Sequence, residues 1–353
     1  MEYKKHVLLI MPRYHTNLAS MIEALLLIYD VKLFVFSYTR KEQMNCDIEM
    51  IDLSLINNRY EFYESFISKY NPEITIIRWD SDMLDFDQLI KILRKYKTEI
   101  IPYEQTPKFI ALSIKDLKQE ILSLFFKLKN SLPMSCITPI AYNRRVKKID
   151  LWYKKAFNYP IEENQRKEYF NSNKVNILLV GKFRQSLKRH DWVLLALEKI
   201  NFSGVLTLIG EYPEKDRKIR YEEQLYLNKL FELIDNSAIE IKVYKNIPHF
   251  NMNQYYENSD ILLMPSERET LGFSLLEGMA SGCAVIVSDN VGAACYVEDN
   301  KNGLIFKSYS YADFEEKLYR LISDRTKIVE LGKSAQEYIS LHHNYDKFRS
   351  FIK

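Results

Sequence analysis

Two carboxylates and a glycine bracket one short turn of this chain. In Ser266-Glu267-Arg268-Glu269-Thr270-Leu271-Gly272-Phe273-Ser274-Leu275-Leu276-Glu277, seven residues separate Glu269 from Glu277. The turn follows the apolar run Ile261–Met264, which reads as a strand ending at Pro265. Gly272 supplies backbone freedom where a helix begins. The amides of Leu271, Gly272, Phe273 and Ser274 are the donors of that helix's first turn. With the helix dipole they attract an anion, and a diphosphate fits there. A carboxylate gains nothing against phosphate oxygens but accepts from hydroxyls. Glu277 would then grip a ribose, and Glu269 a sugar hydroxyl beyond the phosphates. The same two acids equally suit an ordinary helix start, where the dipole favours negative charge.

A second loop supplies the opposite charge. Gly181-Lys-Phe-Arg-Gln-Ser-Leu-Lys188-Arg-His190 follows the apolar run Val175–Val180. Lys182 and Lys188 would reach a diphosphate at the Gly272 helix end and offset its charge as it leaves; the alternative is a solvated basic turn. No glycine precedes Gly181, and all nine fall from there onward. A phosphate-cradling loop needs glycine, so the nucleotide site belongs to the second half. The chain has no Ser-His-Asp arrangement, no zinc-ligand spacing and no Gly-x-x-x-x-Gly-Lys-Ser/Thr loop.

The elements that must position these loops alternate between strand and helix. In the first half, strands are expected at His6–Met11, Val31–Ser37, Glu73–Arg78 and Glu99–Tyr103, with helices over Leu18–Tyr29, Tyr60–Tyr70, Met83–Tyr96 and Ile114–Lys129. Polar residues Tyr159–Lys174 read as a linker, after which the alternation restarts. Its strands are Val175–Val180, Gly204–Ile209, Glu240–Tyr244, Ile261–Met264 and Ala284–Ser288. Its helices are Asp191–Ile200, Glu222–Asp235, Gln254–Asn258, Phe273–Ser281 and Tyr311–Ser323, and the final stretch Lys327–Phe351 is helical. Such alternation implies α/β domains with parallel, doubly wound sheets. The expected domains are 1–165 and 170–334, with a terminal helix at about 335–353 that packs back on the first.

Bulk properties agree. At 353 residues, two domains are expected; 47% hydrophobic and 27% charged residues are a globular composition. A net charge of +3 is slight for a nucleic-acid binder. Cys46, Cys136, Cys283 and Cys295 show no C-x-x-C spacing, which suits reduced thiols in a cytoplasmic protein. No run approaches the ~20 apolar residues of a spanning helix. The Ile114–Lys129 helix, with Lys115, Lys118, Lys127 and Lys129, is an ordinary domain helix or one that lies on an anionic membrane.

Pro265-Ser266-x-x-Glu269-x-x-Gly272-x-x-x-x-Glu277-Gly-Met-Ala-x-Gly282-x-x-Val285 resembles the donor-site signature of family-4 retaining glycosyltransferases, the glycosyl transferases group 1 of the GT-B fold. Gly181-Lys182…Lys188 is similar to that family's Gly-Arg…Lys-Gly element, and Asp260 and Asn302-Gly303 fit its pattern. The resemblance covers about Val175–Ser323 well and the first half in outline. It implies two Rossmann-like domains facing a central cleft, and transfer of a hexosyl-type sugar from a nucleotide-diphosphate sugar with retention. By this likeness Glu277 holds ribose, and Glu269 the transferred sugar. The backbone of Thr270, Leu271, Gly272, Phe273 and Ser274, with Lys182 and Lys188, holds the diphosphate. Tyr244, Asn246 and Ile247 stand where the family contacts the base.

The chain also departs from the pattern. Lysine replaces arginine at Lys182, and Arg189 replaces the usual glycine. The first half lacks the family's glycine-rich loop, so Arg13 and His15 are its candidates for acceptor contact, the alternative for His15 being an ordinary surface histidine. Glu104 or Gln105 falls near the position of the family's cleft histidine. The resemblance implies no cofactor or metal beyond the donor. It implies a glycan, lipid-linked or protein acceptor, as in bacterial surface polysaccharide or glycoconjugate synthesis, and a cytoplasmic enzyme, with peripheral contact at the inner face of the membrane as an extension. A non-catalytic sugar- or nucleotide-binding subunit on the same scaffold is the alternative; an epimerase of this fold lacks a clear cleft histidine or carboxylate set.

Overall fold

Apolar runs of Val, Leu and Ile become inner strands of two parallel sheets, buried on both faces. The computed structural model describes residues 4–15, 18–36, 48–78, 85–104, 133–138, 140, 155–162, 174–213 and 218–352. They divide into two units: Met1–Ile137, Tyr142–Pro160 and Tyr345–Lys353 in the first, Thr138–Ala141 and Ile161–Asn344 in the second.

The first unit contains β1 (His6–Met11), α1 (Ala19–Leu26), β2 (Asp30–Val35), β3 (Glu49–Asp52), α2 (Arg59–Tyr70), β4 (Ile74–Ile77), α3 (Phe86–Lys95), β5 (Glu99–Glu104), β6 (Met134–Ser135) and β7 (Lys155–Ala156). The seven strands run in the order β3-β2-β1-β4-β5-β6-β7, all parallel. Leu9 of β1 lies opposite Leu33 of β2 and Ile76 of β4, at the centre of the sheet. Leu8, Ile10 and Phe34 pack against Tyr63 and Ile67 of α2 and Leu89 and Leu93 of α3.

The second unit contains β8 (Asn176–Val180), α4 (His190–Lys199), β9 (Val205–Gly210), α5 (Tyr221–Asp235), β10 (Glu240–Lys245), α6 (Asn253–Glu257), β11 (Ile261–Met264), α7 (Phe273–Ala280), β12 (Ala284–Ser288), β13 (Leu304–Phe306), α8 (Tyr311–Ile322) and α9 (Arg325–His342). Its six parallel strands run β10-β9-β8-β11-β12-β13. The order reverses between β8 and β11, and ligands of open α/β sheets bind beyond the strand ends at such a point. The two strands are pinned at their other ends, where the Asp260 carboxylate accepts from the Asn176 amide at 2.8 Å.

Two expectations needed correction. The final helix is two helices, α9 and α10 (Tyr345–Ile352), broken at His343–Asn344. There the His343 carbonyl accepts from the Ile161 amide at 2.8 Å, and the Asn344 side chain takes the Ser340 carbonyl at 2.7 Å. Helix α10 belongs to the first unit, where the Tyr345 hydroxyl donates to Glu23 of α1 and Phe348 packs on Phe157. At the start of the Tyr159–Lys174 segment, Tyr159 and Ile161 are buried, and residues 163–173 lie outside the described residues. Strands β3, β6, β7 and β13 were not expected. The Ile114–Lys129 helix and Gln105 lie outside the described residues.

Candidate active site

The loops after β8 and β11 stand side by side where the strand order reverses. Two ties join them, one of backbone and one of side chains: the Glu267 amide donates to the Leu187 carbonyl at 2.8 Å, and the Arg189 guanidinium pairs with the Glu267 carboxylate. The far side of the second loop is sewn to the turn after β12. Gly292 donates to the Glu269 carbonyl at 3.1 Å, and Ala293 to the Leu271 carbonyl at 2.6 Å. Loop segments held at this many points keep their amides in place before any ligand arrives.

Gly272 starts α7 in a left-handed conformation, with φ of 94°. A Cβ there would sit 2.8 Å from a Val291 methyl and 2.9 Å from the Met264 sulfur, so both conformation and space require glycine. Gly278 lets α7 lie against β11, since a Cβ would come within 2.5 Å of Leu262. The first turn of α7 therefore opens in the loop that follows β11. Leu271 has its side chain in the core, so only its backbone is offered; Thr270 is exposed, and Phe273 and Ser274 are half-buried.

Lys188 and Glu269 meet in an ion pair across the two loops, with side chains 16% and 21% exposed. The lysine stem lies over Gly181, whose would-be Cβ is 3.2 Å from Lys188 Cδ. Behind it His190 opens α4, fully buried beside Phe183. Burial, and then the Lys188 cation, push its imidazole down to about 3, so it stays neutral. Lys182 is placed differently: it pairs with Glu211 at 2.9 Å, and Arg184 bonds Glu223 at 2.6 Å. Arg189 adopts a left-handed φ of 55°, which accounts for the glycine usual at that position in the resemblance. Glu267 and the Trp192 ring, 4.9 Å from the guanidinium, hold it there.

Glu277 is gripped by two residues that the sequence reading missed. His249 Nε2 lies 2.8 Å from its Oε1, and the Tyr256 hydroxyl donates to Oε2 at 2.5 Å. Burial pushes the Glu277 carboxyl up, but the His249 hydrogen bond and charge, with the tyrosine, outweigh it and hold the group below its ordinary value. Of the candidates for the base, Tyr244 packs on Tyr255 and Ile247 is half-buried. The Asn246 amide is committed to the backbone of Tyr212, accepting at 2.8 Å and donating at 3.0 Å. Asn302 likewise caps its own turn, accepting from the Glu298 amide at 2.7 Å. In the first unit Arg13 and His15 are exposed on the loop after β1, and Glu104 is buried at the end of β5, its carbonyl accepting from Ser135 at 2.9 Å. Among the described residues no group of three or more metal-ligating side chains comes together, and no helix is long and apolar enough to cross a membrane.

Residues 160–338 match the model of the family described as glycosyl transferases group 1. The chain is 25% identical over 130 residues to the poly(ribitol-phosphate) alpha-N-acetylglucosaminyltransferase of Staphylococcus aureus, covering 36% of this chain and 26% of that one. It is 27% identical over 188 residues to the N-acetyl-alpha-D-glucosaminyl L-malate synthase of Bacillus anthracis, covering 52% and 45%. The matches thus span less than half the length of these curated relatives. A glycosyltransferase structure from Rickettsia africae superposes with a TM-score of 0.74 at 17% identity, over 99% of this chain and 97% of that one. Anabaena HepE, solved with UDP and glucose, superposes with a TM-score of 0.68 at 12% identity, over 98% of each chain.

Proposed function

This chain belongs to the glycosyl transferases group 1 family, and from that premise we propose that it transfers a hexosyl-type sugar, with retention, from a nucleotide-diphosphate sugar to a glycan, lipid-linked or protein acceptor. Its fold is GT-B. The observation that carries the reading is the convergence of the Lys188–Glu269 pair on the loop that opens α7, at the point where the strand order reverses. The α7 amides and Lys188 take the diphosphate, Glu277 the ribose and Glu269 a hydroxyl of the transferred sugar. Lys182, paired with Glu211, joins the diphosphate by exchanging one anion for another.

In the proposed step the bond between the anomeric carbon and the leaving phosphate oxygen breaks on the face where the acceptor oxygen bonds. The acceptor's proton passes to a phosphate oxygen of the departing nucleotide, so no separate base is required. Lys188 and the α7 amides stabilise the charge that grows on that phosphate. Charge on the diphosphate is met by these groups without a metal ion. The setting is bacterial surface polysaccharide or glycoconjugate synthesis, in the cytoplasm or peripherally at the inner face of the membrane. The name of the Staphylococcus aureus relative, a transferase acting on poly(ribitol-phosphate), supports a polymer acceptor.

The test is thermal shift with UDP-, GDP-, ADP- and TDP-sugars, followed by donor hydrolysis by wild type and Glu269→Ala. Stabilisation by one class, with sugar release that the substitution abolishes, is expected. Absence of stabilisation by all four sinks the reading. Binding without release in the wild type points instead to a non-catalytic sugar-nucleotide subunit.

A further inference from the structure

We propose that His249 is a positioning residue that fixes the Glu277 carboxylate for recognition of a ribose 2′-hydroxyl, so that this protein selects ribonucleotide donors over 2′-deoxyribonucleotide ones. The inference rests on the reading of Glu277 given above and goes beyond it in assigning the selectivity to a second side chain.

Three elements meet at the Glu277 carboxylate. His249 lies in a single 3-10 turn, His249–Asn251, that follows Pro248 after β10. Tyr256 sits in α6, fully buried, and the Cys283 thiol donates to its carbonyl at 3.3 Å. Glu277 lies on α7, the helix that opens at Gly272. One carboxylate oxygen thus meets a donor from the turn and the other a donor from α6. A glutamate on an open helix face samples many rotamers; one held at both oxygens loses that freedom on folding rather than on binding.

Two features separate this from an ion pair that only fastens the fold. A carboxylate has about four lone-pair sites, and His249 and Tyr256 are its hydrogen-bond partners among the described residues. About two sites therefore remain for incoming hydroxyls. The pair is also within reach of solutes, with Glu277 18% exposed and His249 27%. The Tyr256 end is anchored in the core, so the His249 end is the one that sets the plane of the carboxylate. A fixed anionic acceptor rewards a donor hydroxyl and penalises its absence, because a ligand lacking it desolvates the charge without replacing the bond.

The experiment is calorimetric titration with UDP, GDP and ADP, each beside its 2′-deoxy form, and with TDP, on wild type, His249→Ala and His249→Gln. The nucleotide bound most tightly by wild type is the probe. Wild type is expected to prefer the ribo form by about 10-fold or more, the strength of one hydrogen bond to a charged group. In His249→Ala that ratio falls below about 3-fold, while His249→Gln, which keeps an N–H donor, restores most of it. Where the alanine variant fails to fold, His249→Phe, which keeps the ring's bulk, reads the same ratio. An unchanged ratio in the donor-less variants, or an equal loss for both sugars, overturns the role of His249 and leaves the donor site intact. Wild type that binds without ribo preference also overturns it. Wild type that binds TDP but none of the three ribonucleotides overturns the ribo preference, and wild type that binds none of the four removes the reading of the site itself.

Discussion

The Lys188 ammonium and the Glu269 carboxylate form an ion pair that joins the loop after β8 to the loop after β11. Each partner neutralises the other in a half-enclosed setting, so neither is independent in function. Lys188→Ala and Glu269→Ala should each lower kcat by about 10²–10³-fold, the scale seen when a preorganised charge-stabilising donor is lost. The double variant should be little worse than the worse single one, because residues acting as a unit are not additive. Steady-state kinetics on the three variants checks this; losses that multiply would show the two act separately.

Gly272 combines a left-handed φ with contacts that leave no room for a methyl group. Gly272→Ala should cost about 1–3 kcal/mol of stability from the strained backbone alone and weaken donor binding by tilting the first turn of α7. Urea denaturation and nucleotide titration read the two effects. A variant as stable as wild type would mean the turn accommodates a side chain.

Arg189 is a left-handed residue that is not glycine. Replacing it by glycine relieves roughly 1–2 kcal/mol of backbone cost and gives up an ion pair with Glu267 worth about 0–1 kcal/mol. Arg189→Gly should therefore match or exceed wild-type stability, whereas Arg189→Val should fall below it. Thermal melts of the pair decide; a strongly destabilised glycine variant would show that the guanidinium, not the backbone, matters here.

His190 provides the pH prediction. Its imidazole is held at about 3 in the fold against 6.5 ordinarily, so the unfolded chain takes up the proton first. The contribution of His190 is fully present above 6.5 and is lost as pH falls toward the folded value. Between pH 7 and pH 5 this amounts to about 2 kcal/mol, which His190→Phe should remove. Urea melts at the two pH values test it; parallel wild-type and variant curves would contradict the assignment.

The second unit was the more legible part. Ile261–Met264 is an unbroken apolar run ending at proline, and it is β11 to the residue. Gly272 marked the start of α7 because few other residues take its conformation. The first half showed its inner strands by the same apolar signal, but Glu49–Asp52 is a partly exposed edge strand with no such run. Strands β6 and β7 are two residues each, too short for any period to register. His249 and Tyr256 were invisible for another reason. They reach Glu277 from 28 and 21 residues away in sequence, and no local pattern encodes a contact made only by folding. Lys182 was legible as a cation but not its partner Glu211, which arrives from the end of β9.

The placement of α10 in the first unit has a consequence for biosynthesis. Translation delivers β1 and α1 early, yet the helix that packs on α1 emerges only after the whole second unit has been made. The second unit, continuous from Ile161 to Asn344 apart from four residues, can close behind the ribosome as domains generally do. The first must wait with one side of α1 uncovered. The nascent chain thus completes its second unit before its first.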